Sequence, residues 1–411
     1  MIPRTMHRSD PQQAERHDTS NQTCANAAVR LHAYLARHHL HGKALRGPDP
    51  GVRFNARFGR FIKSYASTIS WRDAMAYAQT QKYWIAGNWR LSDSGLIDRV
   101  LAEHHAVAAA EFLVEAQTDE GYWPYPNREW GNKIATVEGT YAALGLLEAY
   151  QRTRRSAFLE AAVRWHDFAV REIGFQRAGH MLSLKYFGRC EGFVMIPNVS
   201  ASALRSFALL STVTGEDRYR DHCSGMVAWL NNVQTEEGEL PYGVATPGNT
   251  ARFNRFHFLC YQYNAFQLLN LAAYYRLTDD ADILPVLQKL APFVAGGLTS
   301  QGACRHDCHR QYPEVLYYSA AVSAALRAAT ELGLGDYRQP AERALCHVLS
   351  QQSRDGGFTY YSRYNYKILA DRRSYPRYLA MILYFLSLAS QGAASMSAPE
   401  SSSPKLSTAT M

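Results

Sequence analysis

Three stretches of the chain read alike: FLVEAQTDEGYW at 112–123, WLNNVQTEEGEL at 229–240 and QSRDGGF at 352–358. Each places a glycine four residues after a glutamine and an apolar residue two further on. Each ends a helical pattern, and a long polar loop and then a strongly apolar helix follow it. Those following helices align on a small residue, Ala142, Ala203, Ala265, Ala320 and Ala380, at spacings of 61, 62, 55 and 60 residues. Self-similarity at such a period marks a repeat architecture, and about 60 residues hold two helices with two connections.

The apolar helices are predicted over 134–153, 197–214, 257–277, 314–332 and 374–390, with 58–84 as a further one of the same type. Amphipathic segments alternate with them at 24–39, 96–116, 155–172, 217–233, 281–293 and 337–350. A helix that is apolar almost all round must be buried on every side, whereas a one-sided helix keeps one face in water. Their alternation implies an inner and an outer ring. The expected fold is therefore all-α, an (α/α)6 toroid of six hairpins over residues 22–390, with an open solenoid as the alternative. Polar composition marks 1–21 and 391–411 as disordered ends.

Inner-to-outer turns are short, around Thr153 and Thr278, whereas the outer-to-inner loops run to about 17–24 residues. Long loops on a rigid scaffold concentrate binding and catalytic groups. The site is therefore expected at the rim formed by these loops and the N-termini of the inner helices.

The QxxxGxW-type endings resemble the repeats of the terpenoid cyclase and protein prenyltransferase superfamily of α/α toroids, over roughly residues 101–389. The resemblance implies the toroid fold and a structural role for Gln117, Trp123, Gln234 and Gln352 in tying one hairpin to the next. The catalytic signatures differ. No DxDD motif is present, and Asp279-Asp280-Ala281-Asp282 opens an outer helix, where Asp and Thr278 cap the helix and complement its dipole. The segment 356–371 is similar to the prenyltransferase GGF-x-RxNK-x-D pattern at Arg363, Asn365, Lys367 and Asp371. Arg373 stands where that pattern has its zinc-ligating cysteine.

Several side chains at the rim carry candidate chemistry. Glu138 sits in the first turn of an apolar helix, where desolvation would raise its pKa and suit it to general acid work; the alternative is a charge complementing the helix dipole. The adjacent Gly139 suggests a close backbone approach. Helical spacing puts His257, Tyr261 and Asn264 on one face, a polar platform if that face looks into the central cavity. Tyr317 and Tyr318 repeat the pattern on the fifth inner helix, and Arg372, Arg373 and Tyr378 on the last. Trp123 and Trp130 offer rings for stacking on a sugar or shielding a cation. Cys304-Arg305-His306-Asp307-Cys308-His309 is the densest set of possible metal ligands. It lacks a partner cluster and has Arg305 and Arg310 beside it, so a polar loop presenting His306 or Asp307 to substrate is expected, with no metal and no cofactor. No phosphate-binding glycine loop, GxSxG elbow or HExxH is found, and the ATPGNT stretch at 245–250 reads as a turn.

Composition bounds the rest. The chain has 411 residues, 47% of them hydrophobic, and a net charge of +8. The longest largely apolar run, 378–389, is too short to cross a bilayer, and charged residues occupy the start where a secretory signal's apolar stretch would lie. Seven scattered cysteines point to reduced thiols and a cytoplasmic location. The loop 41–60 carries +4, and the five later long loops (118–134, 174–197, 235–258, 298–314, 353–374) together carry +3. That bias at one end suits a small anionic substrate, a sugar or a diphosphate, rather than nucleic acid. The leading expectation is an enzyme acting on a uronic-acid-containing or lipid-linked carbohydrate by hydrolysis, β-elimination or epimerisation. Glu138 with Asp307 or Asp371 would serve hydrolysis, and His257 with Tyr261 would serve proton abstraction. An isoprenoid cyclase-like enzyme and a non-catalytic glycan- or protein-binding toroid are the alternatives.

Overall fold

A computed structural model of the chain describes residues 11–51, 59–66, 69, 71, 73–130, 133–189, 194–245, 255–361 and 371–394, and only the backbone of 11–22, 128 and 391–394. Arg363, Asn365, Lys367 and nearly all of the 245–250 turn lie outside the described residues.

The outer helices are α1 (Pro11–His38), α4 (Arg99–Ala116), α6 (Ser156–Phe168), α8 (Cys223–Val233), α10 (Leu284–Gly296) and α12 (Arg338–Leu349). The inner ones are α3 (Ala78–Asp93), α5 (Thr136–Thr153), α7 (Pro197–Thr214), α9 (Cys260–Thr278), α11 (Leu316–Glu331) and α13 (Pro376–Ala394). Each inner helix packs on the next, and α13 packs back on α3, so the inner ring is closed. The open solenoid is thereby set aside. Helix α1 lies against α13, making the sixth hairpin from the two ends of the chain. Its backbone starts at Pro11, within the segment expected to be disordered.

One inner helix differs from expectation. The segment 58–84 holds a short helix α2 (Arg60–Tyr65), and the inner helix begins only at Ala78. The cause is an acceptor supplied from the next hairpin: Glu138 Oε2 takes the Ala78 N–H at 2.7 Å, starting the helix there after an extended Tyr77.

The glutamine repeats are tertiary staples. Gln117 Nε2 donates to Gly121 O and Ala161 O, Gln234 Nε2 to Gly238 O and Val286 O, and Gln352 Nε2 to Gly356 O and Ala27 O, all at 2.9–3.0 Å. Each thus binds its own turn to the next outer helix. Gly121, Gly238 and Gly356 have φ of +101°, +96° and +95°, and a Cβ there would run into a backbone carbonyl of that helix. A fourth copy of the turn lies at Thr299–Gly302, with φ +85° at the glycine and Leu298 where the others have glutamine.

Between the rings lies an apolar core that includes Trp84, Phe158, Trp165 and Phe207. Trp165 packs on Gly139, where a Cβ would fall 2.3 Å from its ring, so the close approach inferred at that glycine is real. Short strands of two to four residues occur in the long loops. They pair 134–135 with 187–188, 175–178 with 181–184, and 243–245 with both 194–195 and 255–256. The acidic run at 279–282 caps: Asp280 Oδ1 accepts from Asp282 N, and Tyr274 donates to Asp280. Among the described residues no helix is long and apolar enough to cross a membrane.

Candidate functional site at the long-loop rim

All six inner helices send side chains into one cavity of about 90 Å³ on the ring axis, at their N-terminal ends. Gln79 comes from α3, Tyr141 from α5, Asn198 from α7, Gln262 and Tyr263 from α9, Tyr317 from α11, and Arg377 and Tyr378 from α13. Tyr186 and Tyr242 add phenols from the long loops. Among the described residues no Asp or Glu lines this cavity, and Arg377 is its full charge. Its Nε donates to Gln79 Oε1 at 2.8 Å, its Nη1 reaches Asp49 Oδ2 at 3.4 Å, and its guanidinium lies 4.4 Å from the Tyr77 ring. Burial pushes the phenols of Tyr186, Tyr242, Tyr263, Tyr317 and Tyr378 above their ordinary range. At Tyr186, Tyr263 and Tyr378 the guanidinium pulls the other way. The cavity is therefore walled by protonated hydroxyl donors and amides around one cation.

Of the residues singled out from the sequence, Tyr317 and Tyr378 line this cavity, their rings 4.5 Å apart. Tyr318 is buried beside them, edge-on to Tyr317 and parallel to the half-buried His306. Trp130 remains 41% exposed at the rim, against Tyr125 and Phe187.

The other residues singled out lie outside the lining of this cavity. Glu138 is fully buried outside the cavity lining, where it caps α3; burial raises its carboxyl to about 7 although the nearby Arg377 opposes this. Its Oε1 has no hydrogen-bond partner. Trp123 is wall, not platform: its Nε1 donates to Leu113 O at 2.8 Å and its ring meets Trp165. Asp307 is buried and holds its own turn, accepting from the backbone of His309 and Arg310 and from the Arg310 guanidinium. Asp371 is buried, raised by that burial, and accepts from Tyr375 Oη at 2.7 Å and from Arg373 N. Arg373 makes two bonds to Asp73, which also holds Lys63, while Arg372 lies over the Tyr65 ring.

Tyr261 and Asn264 share a face of α9 that lies outside the cavity lining, whereas His257 precedes the helix, which begins only at Cys260 and not at the expected 257. Tyr261 stacks on Phe293 and presses on Gly297 of the outer layer. Asn264 stitches a loop to its own helix, bonding both backbone groups of Leu240 and the Cys260 carbonyl. The cavity-facing residues are the intervening Gln262, Tyr263 and Phe266. Gln79, Asn198, Tyr186 and Tyr242 escaped the sequence reading. A polar residue in the first turn of each apolar inner helix is the signal that would have found Gln79, Asn198 and Gln262.

His257 instead meets Glu239, Nδ1 to Oε2 at 2.7 Å, beside the thiols of Cys260 and Cys308. The 304–309 loop therefore contributes Cys308 to a group whose other members come from elsewhere in the chain; Cys304 is buried separately in the core.

A larger recess of about 400 Å³ opens at the opposite, short-turn end, lined by Arg90, Arg205, Arg276 and Arg327 with Tyr83 and Tyr384. Phe266 lies between it and the rim cavity. Three of those arginines are already engaged: Arg276 with Glu331, Arg327 with Glu342 and Arg205 with Asn270. We place the candidate site at the rim, where neutral donors and a cation converge from every inner helix.

Residues 139–338 match the model of a family described as a domain of unknown function (DUF6288). No curated protein matches the chain in sequence. Solved structures do match in fold. A family 76 glycoside hydrolase from a bovine Bacteroides thetaiotaomicron strain aligns with a TM-score of 0.62 at 11% identity, over 90% of this chain and 78% of that one. A polysaccharide lyase aligns at 0.62 and 12% identity, over 93% of this chain and 100% of that one. The cellobiose 2-epimerase of Bacillus thermoamylovorans B4167 aligns at 0.58 and 14% identity, over 75% and 86%. At these identities the likeness is one of fold.

Proposed function

We propose that the protein is a carbohydrate-active enzyme that removes a proton beside the carboxylate of an acidic sugar, leading to β-elimination or epimerisation in the rim cavity. The observation that carries this reading is the lining itself: Arg377, three amides and a set of phenols, with no carboxylate among the described residues. Two-carboxylate hydrolysis needs a pair of acids flanking the bond, and Glu138, Asp307 and Asp371 are each committed to backbone or side-chain partners outside the cavity. Taking a proton from the carbon next to a carboxylate builds negative charge on that carboxylate. Arg377 with Asn198 and Gln262 would neutralise it. Tyr378, entering as the phenolate that the adjacent Arg377 favours, would take the proton from the carbon and hand it to the leaving oxygen in elimination. In epimerisation a second phenol such as Tyr263 would return a proton to the opposite face. That a lyase and an epimerase share the fold supports the reading by analogy.

The test is a panel of uronic-acid oligosaccharides with matched neutral ones, followed by ultraviolet absorbance of the unsaturated product and by NMR for epimers. Turnover is expected on the uronates. Tyr378→Phe should lower kcat by about 100-fold or more, and Asn198→Ala by about tenfold, with melting temperatures near the parent's. Turnover confined to neutral sugars, or thermal stabilisation by prenyl diphosphates alone, would overturn the proposal.

A further inference from the structure

We infer that Glu239, His257, Cys260 and Cys308 form a binding site for a single zinc-type divalent ion that staples three rim segments together. The four residues come from three separate segments of the chain, yet the ligand atoms they offer all lie within 4.8 Å of one another. A tetrahedral zinc with bonds of about 2.0–2.3 Å separates its ligands by roughly 3.3–3.8 Å, so a contraction on the order of 1 Å closes the shell. Two thiolates, an imidazole and a carboxylate are a donor set that zinc accepts, and four protein ligands leave no open position. The site is therefore a structural staple rather than a catalytic metal centre.

Without a metal, His257 bonds Glu239 at 2.7 Å, and the thiols of Cys260 and Cys308 lie beside that pair. One atom is left over. Glu239 Oε1 is buried and has no partner, an expensive condition that a cation would relieve.

The supports are rigid. Glu239 follows Gly238, whose turn is held by Gln234 against α10. Asn264 ties the neighbouring Leu240 to the first turn of α9, where Cys260 sits. Asp307 fixes the turn that carries Cys308 and pairs with Arg310, so that arginine's charge is already answered. Outer contacts of this kind orient metal ligands. The consequence reaches the cavity, because Tyr242 lies three residues beyond Glu239, and Gln262 and Tyr263 lie two and three beyond Cys260. An ion here would fix one wall of the rim.

The test uses the full chain stripped with a chelator and titrated with Co²⁺, then with Zn²⁺ in competition. One equivalent of Co²⁺ should bring thiolate-to-metal charge-transfer absorbance and the intense visible bands of a tetrahedral site, both removed by Zn²⁺. Cys260→Ser and Cys308→Ser should each weaken binding at least tenfold, and Glu239→Gln likewise, while Cys346→Ser, on the exposed side of α12, should leave it unchanged. Glu239→Gln keeps both thiols and guards against a cysteine variant that fails to fold. Absence of the charge-transfer band, binding that survives loss of both thiols, or isolation of a metal-free chain with a Cys260–Cys308 disulfide would each overturn the inference.

Discussion

The carboxyl of Glu138 titrates at about 7 in the folded chain, against an ordinary value of 4.5, because burial outweighs the pull of Arg377. Between those two values the folded state holds the extra proton. Its contribution to stability is therefore full below pH 4.5 and is lost as the pH rises through 7, a cost of about 3 kcal/mol when complete. Glu138→Gln keeps an oxygen for Ala78 N–H and carries no charge. It should flatten the fall in melting temperature between pH 5 and pH 8 and leave the variant more stable than the parent at pH 8. A parallel shift at every pH would refute this account. The residue was legible as an acid among apolar neighbours. Its task was not, because the amide it caps lies 60 residues earlier. His257, Tyr261 and Asn264 make the same point. Helical periodicity put them on one face, but α9 begins only at Cys260 and leaves His257 off the helix. Only the packing of Tyr261 on Phe293 and the bonds of Asn264 show which way the other two turn.

At the scale of the element, the recurring unit is a turn with a defined bonding pattern. In each copy a threonine or serine N–H bonds a carbonyl four residues on, and the glycine N–H bonds back to that residue's carbonyl: Thr118 with Gly121, Thr235 with Gly238, Thr299 with Gly302, Ser353 with Gly356. The glycine sits where the turn meets the next outer helix. At Gly238 an added Cβ would lie 2.1 Å from Lys289 O, with φ already at +96°. Gly238→Ala should therefore cost roughly 3 kcal/mol or more, measured by denaturant unfolding. Gln234→Ala leaves the Gly238 and Val286 carbonyls without that donor and should cost about 1–3 kcal/mol. The glutamine copies were readable in the sequence because side chain and spacing recur together. The Thr299 copy was not, because Leu298 removes the glutamine while backbone bonds preserve the turn. The short loop strands also went unread, since two residues of pairing leave no alternating pattern.

For the molecule as a whole, the closed ring was legible from the alternation of all-round and one-sided apolar helices, whereas the meaning of its charge was not. Part of the basic rim is spent inside the protein: Arg310 on Asp307 and Arg373 on Asp73. A net count over loops therefore overstates what an incoming anion meets. Ring closure makes a further prediction. A circular permutant that links the ends through a flexible segment and opens in the short turn at 153–155 keeps every helix–helix contact. It should melt in one cooperative transition by circular dichroism, whereas deletion of 376–394 should abolish that transition, since α1, α3 and α11 all pack on α13. Closure also sets a timetable during synthesis. Helix α1 ends at His38, and the helix it packs against begins at Pro376. At about 5–20 residues per second the ribosome needs tens of seconds to deliver that partner. Throughout that interval Leu31 and Leu35, fully buried in the finished ring, face water on the nascent chain. Helix α1 is the natural place for a chaperone to hold this protein until α13 arrives.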